Sequence, residues 1–447
     1  MVEIVFIDTP ECGGWYVKAN HIATDAWTFA LIEQELAKFY NEYMEGNRSL
    51  EDKKYSYLSF IEREEKSSQK SGYQNAMEYW KKQLDETYNC ISLANHTSVS
   101  MESRRTTIEW EASFVERLTE FCRVNQLTTY AFIMSSIQLY MKMVSREDDF
   151  YIGTTFLNRL NKPEKQTYGM FVNTLPVPVH FKEGDTVLDV VNRCSMTNFD
   201  LMRYQQYNYT EILSNIYDEG KGKLYDVLFN YLNGEYGLEE GTENEEYFCG
   251  AQVETLNTTF RRVGKERYVM YYNHHCDAFT EEEIYRMDRY IRFILEQMMN
   301  GLNTKISELK CILPEEEEHV LQTWNMTDAN YPMDATVVEL FEEQVKKTPD
   351  RIALTFGATN ITYQELNRRA NLVAHRLRSM GVGRDDLVAI VSRRSIEMIV
   401  GIYGIIKAGG AYVPIDPIYP KDRIEYILDD SKPKVVISYQ VDVDVTA

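Results

Sequence analysis

Hydrophobic periodicity changes along this chain, and the change constrains the fold more than any other feature. From residue 336 onward, short apolar runs alternate with stretches of helical spacing. Val337–Val345 (VVELFEEQV) is amphipathic, while ALTFG and ITYQEL read as a short strand, a turn and a helix start. Glu365 to Met380 keeps the helical period and Gly381 follows as its C-cap. Leu387–Val391 reads as a buried strand, Ile396–Ile406 as a helix and Val435–Ser438 as another strand. Such alternation predicts an α/β domain with a parallel sheet. Residues 300–333 read as a linker, in which Glu315 to Glu318 behind Pro314 form the first turn of a short solvated helix.

The residues before that linker are numerous enough for two domains. Trp15 to Asn20 (WYVKAN) reads as a strand, followed by a break and a helix from about Trp27. Leu31, Leu36, Phe39, Tyr40 and Tyr43 give that helix an apolar stripe interrupted by Glu35. A second α/β stretch follows, with helices at Phe114–Cys122 and Thr129–Met143 and a strand at Phe150–Thr155.

Composition removes several classes of function. The chain has 447 residues, about three domains at roughly 150 residues each. With 69 acidic against 48 basic residues the net charge is -21. That field repels phosphate backbones and anionic lipid, so neither nucleic acid nor a membrane surface is an expected partner. The greasy stretch Met398–Ile406 is too short to span a bilayer and runs into Lys407. The start, MVEIVFIDTPE, has no basic region of a targeting signal. Seven cysteines (Cys12, Cys90, Cys122, Cys194, Cys249, Cys276 and Cys311) are scattered, with no CxxC pair. Neither a zinc site nor a disulfide framework is expected, and a reducing cytoplasm fits.

The junction Asn20-His21-Ile22-Ala23-Thr24-Asp25-Ala26-Trp27 carries the chemistry. A histidine at a strand end, with an aspartate four residues on at a helix mouth, sets an imidazole in a cleft. The plainer reading, Asp25 as an ordinary N-cap, stands beside it. NHIATDAW resembles the HHxxxDG motif of condensation domains in nonribosomal peptide synthetases. The resemblance continues in register through Tyr79–Leu84 (YWKKQL), Ile152–Arg159 (IGTTFLNR), Gly169–Pro176 (GMFVNTLP) and Tyr225–Asn233 (YDVLFNYLN). A second match lies in the tail. Ile361–Leu366 (ITYQEL) and Lys407–Asp416 (KAGGAYVPID) resemble the opening motifs of adenylation domains. His21 speaks against the heterocyclisation variant, which has aspartate there, and the adenylation-like tail speaks against an epimerisation domain.

The resemblance implies an α/β fold of two chloramphenicol-acetyltransferase-like lobes, the first truncated, followed by a partial adenylate-forming domain. The expected divisions are 1–112 for the rest of the first lobe, 113–303 for the second, 304–335 for the linker and 336–447 for the adenylation fragment. Members of the resembled family carry ~100 residues or more ahead of the histidine motif, whereas 19 precede Asn20 here. The chain also stops before the adenylation phosphate loop and catalytic lysine, so no ATP-dependent pyrophosphate exchange is expected of residues 1 to 447.

The implied reaction is acyl transfer: a carrier-bound amine attacks a thioester carbonyl and forms a peptide bond. His21 is the implied reactive histidine, either as general base or as hydrogen-bond donor to the tetrahedral centre. An imidazole with its ordinary pKa near 6.5 suits either task. The resemblance pairs Asp25 with Arg159 and sets the lobes about a tunnel with His21 at its centre. Asn20 stands where the family has its first, supporting histidine, and Ala26 where it has glycine. Ala26 and Asn173 are candidate tunnel residues, although Asn173 equally suits a turn cap. His274, His275, Cys276 and Asp277 imitate a metal site, yet adjacent strand residues face opposite ways. They are read as structural. The implied partners are upstream and downstream carrier domains presenting 4'-phosphopantetheine, together with the remainder of a synthetase. ATP and Mg belong to a complete adenylation domain. The alternative is a non-catalytic remnant that at most docks carrier domains.

Overall fold

The computed structural model describes residues 2–9, 13–46, 55–67, 71–84, 89–95, 98–215, 222–232, 246–263 and 267–440. Cys12 and Asn233 lie outside the described residues. Two compact units divide the chain, Met1–Trp324 and Asn325–Ala447.

The first unit starts with an antiparallel ribbon of β1 (Val2–Asp8) and β2 (Gly13–Ala19), in register from Val2↔Ala19 to Asp8↔Gly13. Three helices follow: α1 (Ala26–Met44), α2 (Tyr57–Ser67) and α3 (Ser71–Gln83). The chain then enters the larger α/β body through β3 (Asn89–Cys90), β4 (Ser103–Trp110), α4 (Ala112–Val124), α5 (Thr129–Ser145) and β5 (Asp149–Phe156). It continues with α6 (Lys162–Lys165), β6 (Asn173–His180), α7 (Val187–Tyr204), α8 (Tyr209–Asn215), β7 (Val227–Leu232), β8 (Leu256–Val263), β9 (Arg267–His275) and α9 (Glu281–Asn300).

One seven-stranded sheet joins these strands in the order β3-β5-β7-β8-β9-β4, with β6 antiparallel to β5. β7 runs parallel to β5 and β8, and β9 returns antiparallel to β8. Helix α5 is buried around most of its circumference, and Phe132, Ile133, Met134, Ile137, Leu139 and Met141 are at most 2% exposed. A helix of that character belongs in the centre of a core, and α5 packs against α7 and α9. Within the same core the fully buried Asp288 of α9 accepts Trp110 Nε1–H and Tyr272 O–H, both at 2.9 Å. Arg292 completes the node at 2.8 Å. The buried carboxylate therefore has partners for both oxygens.

β4 pairs with β9 from Ser103↔His275 to Trp110↔Tyr268 and closes one edge of the seven-stranded sheet. Its sequence, SRRTTIEW, is largely polar, so cross-strand pairing rather than apolar content makes it a strand. The first half of the expected linker is likewise part of this unit. Leu309 and Leu313 are buried, and the Gln297 side chain brackets Lys310 by accepting its N–H at 2.8 Å and donating to its carbonyl at 3.1 Å. The short helix α10 (Pro314–Glu318) follows, with Glu315 on Arg289 at 3.0 Å and Glu316 on the Tyr290 hydroxyl. The unit boundary falls later, after Trp324.

The second unit opens with α11 (Val337–Lys347), capped reciprocally by Thr336 and Glu339. An antiparallel hairpin of β10 (Ile352–Phe356) and β11 (Thr359–Thr362) leads into α12 (Tyr363–Ser379). The expected parallel sheet is present: β12 (Leu387–Ser392) lies between β13 (Ala411–Ile415) and β14 (Val435–Tyr439), parallel to both. Its crossovers are α13 (Ile396–Ala408) and α14 (Lys421–Ser431). Helices α12 and α13 approach closely at Gly404, where a Cβ would lie 2.5 Å from a Val373 methyl. No helix among the described residues is long and apolar enough to cross a membrane.

Candidate active site

Strand β2 ends at Ala19, and a turn from Asn20 to Thr24 carries the chain into α1. Asn20 Oδ1 accepts the Ile22 N–H at 3.0 Å, while its carbonyl accepts the Ala23 N–H at 3.0 Å and the Thr24 hydroxyl at 3.2 Å. Asparagine at this position thus holds the turn through its own side chain, a common use of Asn. Asp25 then adopts extended backbone and caps α1, accepting the Thr28 N–H at 2.8 Å. Ala26 is the first helical residue, exposed and outside the left-handed region, so its methyl group introduces no backbone strain.

His21 lies in this turn, between Asn20 and Ile22. Its side chain is exposed and forms no hydrogen bond or ion pair with the described residues. Burial starts behind it, at Thr24 and Asp25. The turn's polar groups are satisfied among themselves, and the carboxylate that follows takes the donors of the interior. The imidazole is left free to meet another molecule.

Asp25 and Arg159 do meet, across 134 residues of sequence. Arg159 Nη2 lies 2.9 and 3.0 Å from the two carboxylate oxygens, and the side chains are 1% and 0% exposed. The Phe171 N–H also donates to Asp25 Oδ2, at 3.0 Å. Arg159 Nη1 donates to the carbonyls of Glu164 at 2.5 Å and Thr167 at 2.6 Å, and its guanidinium lies 3.9 Å from the Phe171 ring centroid. Burial pulls the Arg159 pKa down, and the adjacent Asp25 charge opposes the shift. A buried pair of this kind is weak evidence for net stability, but removing one partner strands the other charge.

The loop between Arg159 and Phe171 is held from several sides. Trp27 Nε1 donates to the Lys165 carbonyl at 2.9 Å, and the Tyr168 hydroxyl meets Glu35 of α1. From α2, the Tyr57 hydroxyl donates to the Met170 carbonyl and Arg63 pairs with Glu164. Phe60 packs against Phe171 at 4.4 Å between centroids. Sequence reasoning missed this α2 clamp and the buried Thr28 hydroxyl beside Asp25. A threonine three residues after a capping aspartate was the available sign of the latter.

Asn173 starts β6, and its amide nitrogen donates to the carbonyls of Gln205 and Tyr207, both at 2.9 Å. These bonds fasten the end of α7 to the start of β6. The doubled histidines are both engaged in packing. His274 Nε2 lies 3.1 Å from Thr106 Oγ1, and burial lowers its pKa. His275 Nδ1 lies 2.7 Å from Ser98 Oγ, and its Nε2 lies 3.1 Å from the Gln252 carbonyl. Among the described residues no cluster of His, Cys, Asp and Glu could hold a metal ion.

Comparison with known proteins accords with this geometry. Residues 6–321 match the condensation-domain family model, and residues 341–447 match that of AMP-binding enzymes. Bacitracin synthase 3 of Bacillus licheniformis is 30% identical over 435 residues, which is 94% of this chain and 7% of that protein. Tyrocidine synthase 2 of Brevibacillus parabrevis is 29% identical over 96% of this chain and 12% of its own length. The chain thus spans a small fraction of these curated relatives. Among solved structures, a four-domain nonribosomal peptide synthetase bound to AMP and glycine superposes with a TM-score of 0.77 at 17% identity, covering 99% of this chain and 36% of that one. The first condensation domain of the calcium-dependent antibiotic synthetase gives 0.58 at 12% identity, over 70% of each chain. At these identities the superpositions establish the fold, and the family match over most of the chain establishes the lineage: it belongs to the condensation-domain family, continued by the start of an AMP-binding domain.

Proposed function

We propose that the chain forms peptide bonds between carrier-bound thioesters, as the condensation portion of an elongation module in nonribosomal peptide synthesis. One observation carries this reading: the buried Asp25–Arg159 pair fastens the turn bearing His21 to the second lobe. The amine of the acceptor attacks the donor's thioester carbonyl, the C–N bond forms and the C–S bond breaks. His21 takes the proton from the attacking ammonium or donates a hydrogen bond to the oxyanion. Asn20 supports the turn, and Asp25 with Arg159 fixes its position. Ala26 and Asn173 flank the path of the substrates. Both substrates arrive on the phosphopantetheine arms of carrier domains, which supply the thioester. ATP and Mg serve the complete adenylation domain and take no part in condensation. We assign 1–112 and 113–303 to the two lobes, 304–335 to the connection and 336–447 to the adenylation part. The other partners are the remaining synthetase domains, with no nucleic acid or membrane, in the cytoplasm.

The exposure of His21 favours a second reading, in which this surface docks carrier domains without catalysing a reaction. One experiment separates the two. Residues 1–447 and the His21→Ala variant are each given a donor aminoacyl-carrier and an acceptor aminoacyl-carrier, and carrier-bound dipeptide is measured by mass spectrometry. The expected result is dipeptide from the wild type and a loss of roughly a hundredfold or more in the variant. Equal yields overturn the role of His21. Carrier binding without dipeptide from the wild type establishes the docking reading.

A further inference from the structure

We infer that Thr28 is a positioning residue for the His21 turn, an inference that rests on the role proposed for His21 above. Thr28 is 0% exposed, and its hydroxyl oxygen meets four polar groups. Arg159 Nη2 lies at 3.0 Å, the Gly169 N–H at 3.2 Å, Asp25 Oδ1 at 2.8 Å and the Gly169 carbonyl at 2.8 Å. A threonine hydroxyl has two lone pairs and one proton. The lone pairs accept from Arg159 and Gly169, and the proton is shared between the Asp25 carboxylate and the Gly169 carbonyl. Its whole hydrogen-bonding capacity is in use.

The hydroxyl does something that the ion pair alone does not. Arg159 Nη2 already donates to the Gly169 carbonyl at 3.1 Å, but only the Thr28 hydroxyl also takes the Gly169 N–H and so ties that peptide to the first turn of α1, two residues before the Phe171 N–H that donates to Asp25. Gly169 has a φ of +157°, and a Cβ there would lie 2.1 Å from the Tyr57 ring. The loop is therefore pressed between α1 and α2, and Thr28 sets its distance from Asp25. Without the hydroxyl, the Gly169 N–H has no other hydrogen-bond acceptor among the described residues. Arg159 and Asp25 would remain paired, but with one fewer restraint on the carboxylate. Asp25 directly follows Thr24, so looseness there passes into the Asn20–Thr24 turn.

The test compares wild type, Thr28→Val and Thr28→Ser in the chain 1–447. Valine is close in shape and lacks the hydroxyl, whereas serine keeps it. Amide hydrogen exchange is read at Ile22 and Ala23 in the turn and at Phe132–Met141 in α5. Thr28→Val is expected to speed exchange in the turn about tenfold while leaving α5 unchanged, and Thr28→Ser to restore the wild-type rate. Loss of stability throughout the unit would instead move both sets together. In the condensation assay the valine variant should lose roughly tenfold in kcat with little change in KM. If the valine chain does not fold, Thr28→Cys replaces it under the same criteria. Unchanged turn exchange in the valine variant, or failure of serine to restore it, overturns the inference. Faster turn exchange in a chain whose wild type makes no dipeptide upholds Thr28 as a positioning residue and sinks the catalytic reading alone.

Discussion

Asp25 accepts from four groups through two oxygens: the Thr28 N–H that caps its helix, the Thr28 hydroxyl, Arg159 Nη2, which reaches both oxygens, and the Phe171 N–H. Its side chain is fully buried, so removing its charge leaves Arg159 buried and unpaired. Breaking such a pair from one side costs about 3–5 kcal/mol. Asp25→Asn and Arg159→Met should each lower the stability of the Met1–Trp324 unit by an amount of that order, read from chemical denaturation. The double variant should cost clearly less than the sum, because neither charge is then stranded. Strict additivity would show that the two side chains do not depend on each other. His21, four residues away, carries no such energetic weight, and its replacement should leave the denaturation midpoint nearly unchanged.

At the scale of elements, local capping explains much of the second unit. Thr362 caps α12 by accepting the Glu365 N–H at 3.2 Å, and Glu365 in turn pairs with Arg368 and Arg369 at 2.7 Å. The hydrogen bonds from Arg368 and then Arg369 hold the Glu365 carboxyl at about 2, below the ordinary glutamate value. A carboxyl with a depressed folded-state pKa stabilises above its unfolded pKa, and that contribution disappears as pH falls through the folded value. The effect is therefore complete above roughly pH 4.5 and lost towards pH 2. Wild type should exceed Glu365→Gln in urea midpoint at pH 6, and the difference should close on acidification. A difference independent of pH would sink this account. The group lies at the surface, partly exposed, so the effect is small and weakened by salt.

At the scale of the whole molecule, the division after Trp324 governs behaviour. Residues 305–318 are fastened to α9, but residues 321–334 are exposed and contain Trp324 and Tyr331. Exposed backbone with few internal hydrogen bonds is where proteases act first. Brief chymotrypsin treatment should release a C-terminal fragment starting at Asn325, identified by its mass. A fragment starting earlier, between Lys305 and Glu318, would contradict the packing of that segment on α9.

The legible part of this protein was what near neighbours decide. Helical spacing located α5 and α12, a capping aspartate located the start of α1, and alternation predicted the parallel sheet of the second unit. Those features depend on sterics and hydrogen bonds within four residues, which the local sequence contains in full. The Asp25–Arg159 pair came from family resemblance, because no local pattern ties residues 134 positions apart. Only the tertiary structure assigned SRRTTIEW to a sheet, gave the Asn173 amide to the 205–207 turn and left His21 exposed. It also turned Thr28 from an ordinary helix residue into the meeting point of four polar groups. The physical reason is the same each time: a polar side chain's partner is whatever donor or acceptor the folded chain brings within about 3 Å. That selection is made by packing, after the local geometry has already been set.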